Sequence, residues 1–186
     1  FENGSAVVVG LDQASGTIRI HPAGDPLRGW PCWWSFQVTG IEPGRTLHIE
    51  IEDELPLVFA DATRIAQVIS NLMSNANKYT PEGGEIVVRA WPNGRSAHVS
   101  IQDNGLGISE EDQQKLFTQF FRAEDKAVRE QPGWGLGLSI VRRMVEAQDG
   151  EISFESKLGE GSTFTFTIPL ANMEEADKVN ETITDS

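Results

Sequence analysis

The chain predicts an α+β fold, and three observations carry that prediction. Short runs of β-type residues fill the first 45 or so positions. The apolar spacing changes to a helical period after Asp61. Paired strands then flank a second helical stretch further on.

The elements follow in order. Ala6–Val9, Thr17–Ile20 and Trp33–Val38 are β-type runs, punctuated by Pro22, Gly24, Pro26, Gly29, Pro31, Gly40, Pro43 and Gly44. Leu47, Ile49 and Ile51 alternate with His48, Glu50 and Glu52, a half-buried strand over 46–52. Leu55–Phe59 is a second short apolar segment. Asp61 is an N-cap for a helix with Ile65, Val68, Ile69 and Leu72 on one face, ended by Pro81-Glu82-Gly83-Gly84. Glu85–Trp91 and Ala97–Gln102 are strands joined at Pro92-Asn93-Gly94, where Asn-Gly signals a hairpin. Ser109–Asp112 opens a short helix running through Leu116, Phe117 and Phe120, with acids at its positive end. Phe117 and Phe120 are expected in the core. Leu138–Ala147 is a helix stopped by Asp149-Gly150, and strands 151–156 and 162–169 close the domain. The acidic stretch 171–186 has little to bury and reads as a disordered tail.

Composition bounds the function. The chain has 186 residues and a formal net charge of −13. That field repels phosphate backbones, so nucleic acid and anionic membrane are poor partners. A small phosphorylated ligand held by backbone N–H groups, a few cations and a metal is still compatible. One cysteine, Cys32, excludes an internal disulfide framework and a cysteine-rich zinc site. Reducing cytoplasm is the default compartment. No apolar run reaches the roughly 20 residues that span a bilayer, and the first residues lack the pattern of a signal peptide.

Four motifs carry chemistry. Asn71, Asn75 and Lys78 fall at i, i+4 and i+7 in Asn71-Leu72-Met73-Ser74-Asn75-Ala76-Asn77-Lys78-Tyr79, on one helical face. An amide oxygen can ligate Mg²⁺, and a lysine can meet a phosphate as a point charge. A solvated Asn-rich face is the alternative. Asp103-Asn104-Gly105-Leu106-Gly107-Ile108 follows a strand; its glycines permit close backbone approach, and its carboxylate can accept from an exocyclic amine. A plain β-turn is the alternative there. Leu116–Arg122 brings aromatics and Arg122, a candidate phosphate contact. Gly133-Trp134-Gly135-Leu136-Gly137-Leu138 feeds a helix whose N-terminal N–H groups suit an anion.

In order and spacing, these motifs resemble the N, G1, F and G2 boxes of the sensor histidine kinase ATP-binding domain, within the gyrase/histidine-kinase ATPase superfamily. The resemblance covers about 46–170 and includes Gly159-Glu160-Gly161-Ser162-Thr163-Phe164. It implies a two-layer α/β sandwich, with a mixed sheet covered by helices on one face. It implies ATP and Mg²⁺ as ligands: Asn75 on the metal with Asn71 beside it, Lys78 and Tyr79 on phosphate and nucleotide, and Asp103 on the adenine amine. Gly105, Gly107 and Ile108 would let the base approach. Arg122, Gly133, Gly135, Gly137 and Leu138 would line the phosphates below a lid at 123–132, and Thr163 would lie near Asp103. Hydrolysing members carry a glutamate general base where this chain has Asn71, so the resemblance implies phosphoryl transfer rather than hydrolysis.

The implied acceptor is a histidine on a separate helical hairpin, with a response regulator as the next partner. His21, His48 and His98 lie in strand or loop contexts and do not supply that histidine. Residues 1–45 resemble, in Phe1–Ser5 and Trp33–Gly40, the β-rich N-terminal domain of M14-type zinc carboxypeptidases, without the zinc motif. Two unrelated resemblances are what a chimera would show; a divergent kinase with a β-rich extension is the alternative. The expected organisation is thus a β-rich segment at 1–45, an ATP-binding domain at 46–170 and the tail. The rival functional class is a nucleotide-binding or interaction module that no longer turns over.

Overall fold

The computed structural model describes residues 5–12, 17–22, 34–37, 44–51, 58–121 and 135–170. Arg122, Gly133, the expected lid, the acidic tail, Trp30 and Trp33 lie outside the described residues.

The strands are β1 (Ser5–Asp12), β2 (Thr17–Pro22), β3 (Trp34–Gln37), β4 (Thr46–Ile51), β5 (Val58–Ala60), β6 (Glu85–Asn93), β7 (Ser96–Asp103), β8 (Ile152–Lys157) and β9 (Gly161–Pro169). The helices are α1 (Ala62–Tyr79), α2 (Glu110–Gln113) and α3 (Gly137–Glu146). The strands form a sheet in the order β3-β2-β1-β5 and a second in the order β4-β6-β7-β9-β8. In the second sheet β4 and β6 run parallel while β6, β7, β9 and β8 pair antiparallel, so the sheet is mixed. β5 pairs with β1, and Val58 bridges to Leu170 beyond β9. Strand pairing therefore runs across position 45.

Alternation decides which face of the second sheet is covered. Ile86, Val88 and Ala90 of β6, Val99 and Ile101 of β7, and Phe164, Phe166 and Ile168 of β9 are buried. Against them lies the α1 stripe Ile65, Ala66, Val68, Ile69, Leu72, Met73 and Ala76, together with Val141 and Val145 of α3. This is the two-layer sandwich expected.

α1 starts where Asp61 caps it. The carboxylate accepts from the N–H groups of Thr63 at 2.9 Å and Arg64 at 3.2 Å. Gln148 Oε1, just past α3, accepts from the Asp61 N–H at 2.8 Å and so links the start of α1 to the end of α3. At the other end Thr80 is buried, and its hydroxyl donates to the Ala76 carbonyl at 2.6 Å.

Three local expectations change. The helix predicted from Ser109 through Phe120 ends at Gln113. Beyond it Lys115, Leu116 and Thr118 donate three residues back, to Asp112, Gln113 and Lys115, so the chain continues as turns. Phe120 has φ +63°, which a helix interior does not allow, and it is 70% exposed rather than in the core. Phe117 is half-buried at the edge of the core, edge-on to Phe154 at 5.8 Å between ring centroids. The hairpin turn also lies one residue later than expected, because Asn93 pairs with Ser96 inside the ladder.

Two stability outcomes follow from this packing. Asp61→Ala should cost about 1 kcal/mol by urea denaturation, and Phe166→Ala about 3–5 kcal/mol. An Asp61→Ala variant as stable as the parent would remove the cap from the account of α1. A loss below about 1 kcal/mol at Phe166 would mean that the helices do not close over β9 as described.

Candidate functional site

Asp103 is the last residue of β7 and points, by strand parity, to the helix-covered face. It is 7% exposed. Burial favours its protonated form and pushes the carboxyl above the usual carboxylate range, while N–H groups of Gly105 and Ser162 hydrogen-bond the ionised form and oppose that rise. The Gly105 N–H lies 2.9 Å from Oδ1.

The loop after Asp103 is clamped on two sides. Leu106 N–H donates to the Tyr79 carbonyl at the end of α1, at 3.1 Å, and the Leu106 carbonyl accepts from Gly159 N–H at 2.7 Å. A Cβ on Gly105 would lie 2.2 Å from the Tyr79 oxygen, and one on Gly107, at φ +65°, 1.9 Å from the Lys157 oxygen. Only glycine permits this approach. Ile108 is half-buried against the core, and its carbonyl accepts from Gln113 Nε2 at 2.9 Å. The same amide reaches the Ser156 carbonyl at 3.0 Å, so α2 ties the loop to β8.

α1 presents its amides along the flank not committed to the core. Asn71 Nδ2 donates to the Gln67 carbonyl at 2.8 Å, which leaves Oδ1 facing the first residue of α3; a Cβ on Gly137 would lie 3.5 Å from it. Asn75 is half-buried one turn on, and its side chain forms no hydrogen bond among the described residues. The Lys78 ammonium sits 5.4 Å from the Tyr79 ring centroid. Gly135 and Gly137 lead into α3, where no side chain caps the N-terminal N–H groups. The Gly135 carbonyl accepts from Phe120 N–H at 3.0 Å, which joins the phenylalanine turn to the second glycine loop. Leu138 turns its side chain into the core, so only its backbone borders the loop.

Strand register places Thr163 one residue past the partner of Asp103. It pairs with Gln102, on the opposite face of the sheet from Asp103. The partner of Asp103 is Ser162, which is buried and 2.9 Å from Ser156 Oγ through its own hydroxyl. Parity could have found it: Ser162 shares its face with Phe164, Phe166 and Ile168, the apolar side of β9.

A Mg²⁺ ion fits the donor set in one way. No group of three or more His, Cys, Asp or Glu side chains that could hold a metal exists among the described residues. A single amide oxygen at Asn75 suits a cation that takes its other ligands from phosphate and water. No helix among the described residues is long and apolar enough to cross a membrane.

The chain matches known proteins over this region. The family profile described as "Histidine kinase-, DNA gyrase B-, and HSP90-like ATPase" matches residues 60–172. Sensor histidine kinase WalK of Bacillus subtilis (strain 168) is 37% identical over 149 residues, 77% of this chain and 24% of WalK. The adaptive-response sensory kinase SasA of Synechococcus sp. (strain CC9311) is 40% identical over 141 residues, 75% of this chain and 37% of SasA. The chain thus spans 24% and 37% of the lengths of these two relatives. Among solved structures, the nucleotide-free catalytic domain of histidine kinase ThkA superposes with a TM-score of 0.60 at 34% identity, over 69% of this chain and 82% of that one. Full-length ShkA in complex with AMPPNP superposes with a TM-score of 0.60 at 30% identity, over 69% of this chain and 26% of that one. The chain belongs to the histidine kinase-, DNA gyrase B- and HSP90-like ATPases as an ATP-binding domain of the sensor histidine kinase type.

Proposed function

We propose that the chain binds Mg-ATP and donates the γ-phosphoryl group to a histidine on a separate acceptor domain, from which a response regulator takes it. The observation that carries this reading is the buried carboxylate of Asp103, aligned by Gly105 and Ser162 and set between the end of α1 and the start of β9. ShkA, similar in fold, is held with AMPPNP, which supports the same ligand class here.

Each residue then has a role. Asp103 accepts from the exocyclic amine of adenine, and burial makes that bond selective because an unpaired partner there is costly. Gly105 and Gly107 keep the loop thin enough for the base to lie against backbone. Asn75 offers the oxygen that holds Mg²⁺, and Lys78 and the first N–H groups of α3 complement phosphate charge. Tyr79, Arg122 and Gly133 complete the nucleotide-facing set. When bound, Mg²⁺ would neutralise charge on the phosphates. Asn71 faces Gly137, and an amide cannot take a proton from water. Transfer therefore relies on positioning the incoming imidazole nitrogen in line with the γ-phosphorus.

The chain mixed with a histidine-bearing hairpin domain and labelled ATP should yield an acid-labile phosphohistidine. Nucleotide binding without any such product would favour the non-catalytic module.

Two substitutions separate the roles. Asp103→Asn keeps the acceptor for Gly105 but removes a buried charge. The folded chain holds the Asp103 proton at pH values where the unfolded chain has released it, so stability falls as pH rises through and above the usual carboxylate range. The variant should show a higher urea midpoint than the parent at pH 7, a smaller difference in acid, and ATP affinity at least about tenfold weaker by calorimetry. Unchanged affinity would remove Asp103 from the adenine site. Asn75→Ala should weaken ATP binding in Mg²⁺ by more than it weakens binding in EDTA; equal losses would contradict the metal role.

A further inference from the structure

We propose that Arg45 is a positioning residue for the nucleotide site, acting through Asn77 to set the orientation of the last turn of α1. This rests on the nucleotide reading above, and neither residue belongs to the ligating set.

The two residues are 32 positions apart, and Arg45 Nη1 donates to Asn77 Oδ1 at 3.0 Å in a partly buried contact. Backbone bonds fix the donor's own position on both sides. The Gly44 carbonyl accepts from Gly83 N–H at 2.7 Å, and Thr46 N–H donates to the Gly84 carbonyl at 3.0 Å. The start of β4 is therefore joined to the turn that follows α1, and the Arg45 side chain reaches from this anchored point back to the helix itself.

Asn77 lies two residues after Asn75, about 200° round the helix, while Lys78 is about 60° from Asn75. Asn77 is thus about 160° from Asn75 and about 100° from Lys78, so Arg45 grips the turn from a flank other than the one the amide and ammonium share. The same turn carries the Tyr79 carbonyl that accepts from Leu106 N–H, so its orientation is passed to the loop after Asp103. A planar, charged donor on an amide oxygen is directional enough to fix rotation about the helix axis. Backbone bonds at Gly83 and Gly84 secure the chain after the helix but do not grip its final turn.

The test uses the whole 186-residue chain. Arg45→Ala and Asn77→Ala should each weaken Mg-ATP binding about three- to tenfold by calorimetry, and the double variant should be no weaker than the weaker single. Asn77→Asp keeps an acceptor for the guanidinium and should bind within about twofold of the parent. Amide hydrogen exchange, read without nucleotide, should speed up at residues 76–80 and at Leu106 in both alanine variants and stay unchanged at Val88 and Ile101. Alanine variants with parental affinity and parental exchange would overturn the proposal, as would losses that multiply in the double variant. A parent chain that takes up no ATP would instead sink the nucleotide reading, and the exchange data would still decide whether Arg45 orients the turn. Should Arg45→Ala fail to fold, Asn77→Ala and Asn77→Asp carry the same comparison.

Discussion

A carboxylate placed out of water at the end of a central strand is the constraint around which the rest of this site is arranged. An isolated buried charge is expensive, and Asp103 is tolerated because two backbone donors, at Gly105 and Ser162, meet it. Those donors come from different parts of the chain: one from the loop directly after β7, the other from the neighbouring strand β9. The loop can turn back so tightly only because Gly105 lets it pass the Tyr79 carbonyl. The end of α1, the end of β7 and the start of β9 are thus committed to one small volume.

The helices owe their positions to the sheet. α1 and α3 bury their apolar stripes on the same face, and the polar flanks they leave over meet where Asn71 approaches Gly137. Gln148 ties the remote ends of these helices together through the Asp61 N–H. One hydrogen bond thus joins the start of α1 to the end of α3, while at the start of α3 Gly137 lies beside Asn71. Phe120, in a left-handed conformation and exposed, donates its N–H to the Gly135 carbonyl of the second glycine loop. The polar groups along these flanks are amides, an ammonium and backbone N–H groups, a set better suited to holding an anion than to moving protons.

Much of this was legible in the sequence because local rules governed it. Asp61 caps α1 as its side chain dictates, and the stripe from Ile65 to Ala76 is buried as its period requires. Leu47, Ile49 and Ile51 alternate as a half-buried strand, and the order of amide helix, Asp-x-Gly-x-Gly loop and second glycine loop pointed to the ligand class. Where local rules competed with long-range packing, reading residues alone fell short. The stretch from Lys115 to Phe120 has helical spacing, yet its aromatic contacts and turn bonds stopped the helix at Gln113. Thr163 was chosen by motif position, whereas the two-residue pleat of β9 assigns that side to Ser162.

The sequence by itself determined the fold class, the buried stripe of α1 and the chemical kinds present in the site, because period, capping and side-chain chemistry act over a few residues. Tertiary structure decided which strand partner meets Asp103, how Arg45 comes to grip Asn77, and that β5 pairs with β1. Those contacts join residues tens of positions apart. Their geometry follows from sheet register and helix placement, which no short window of sequence specifies.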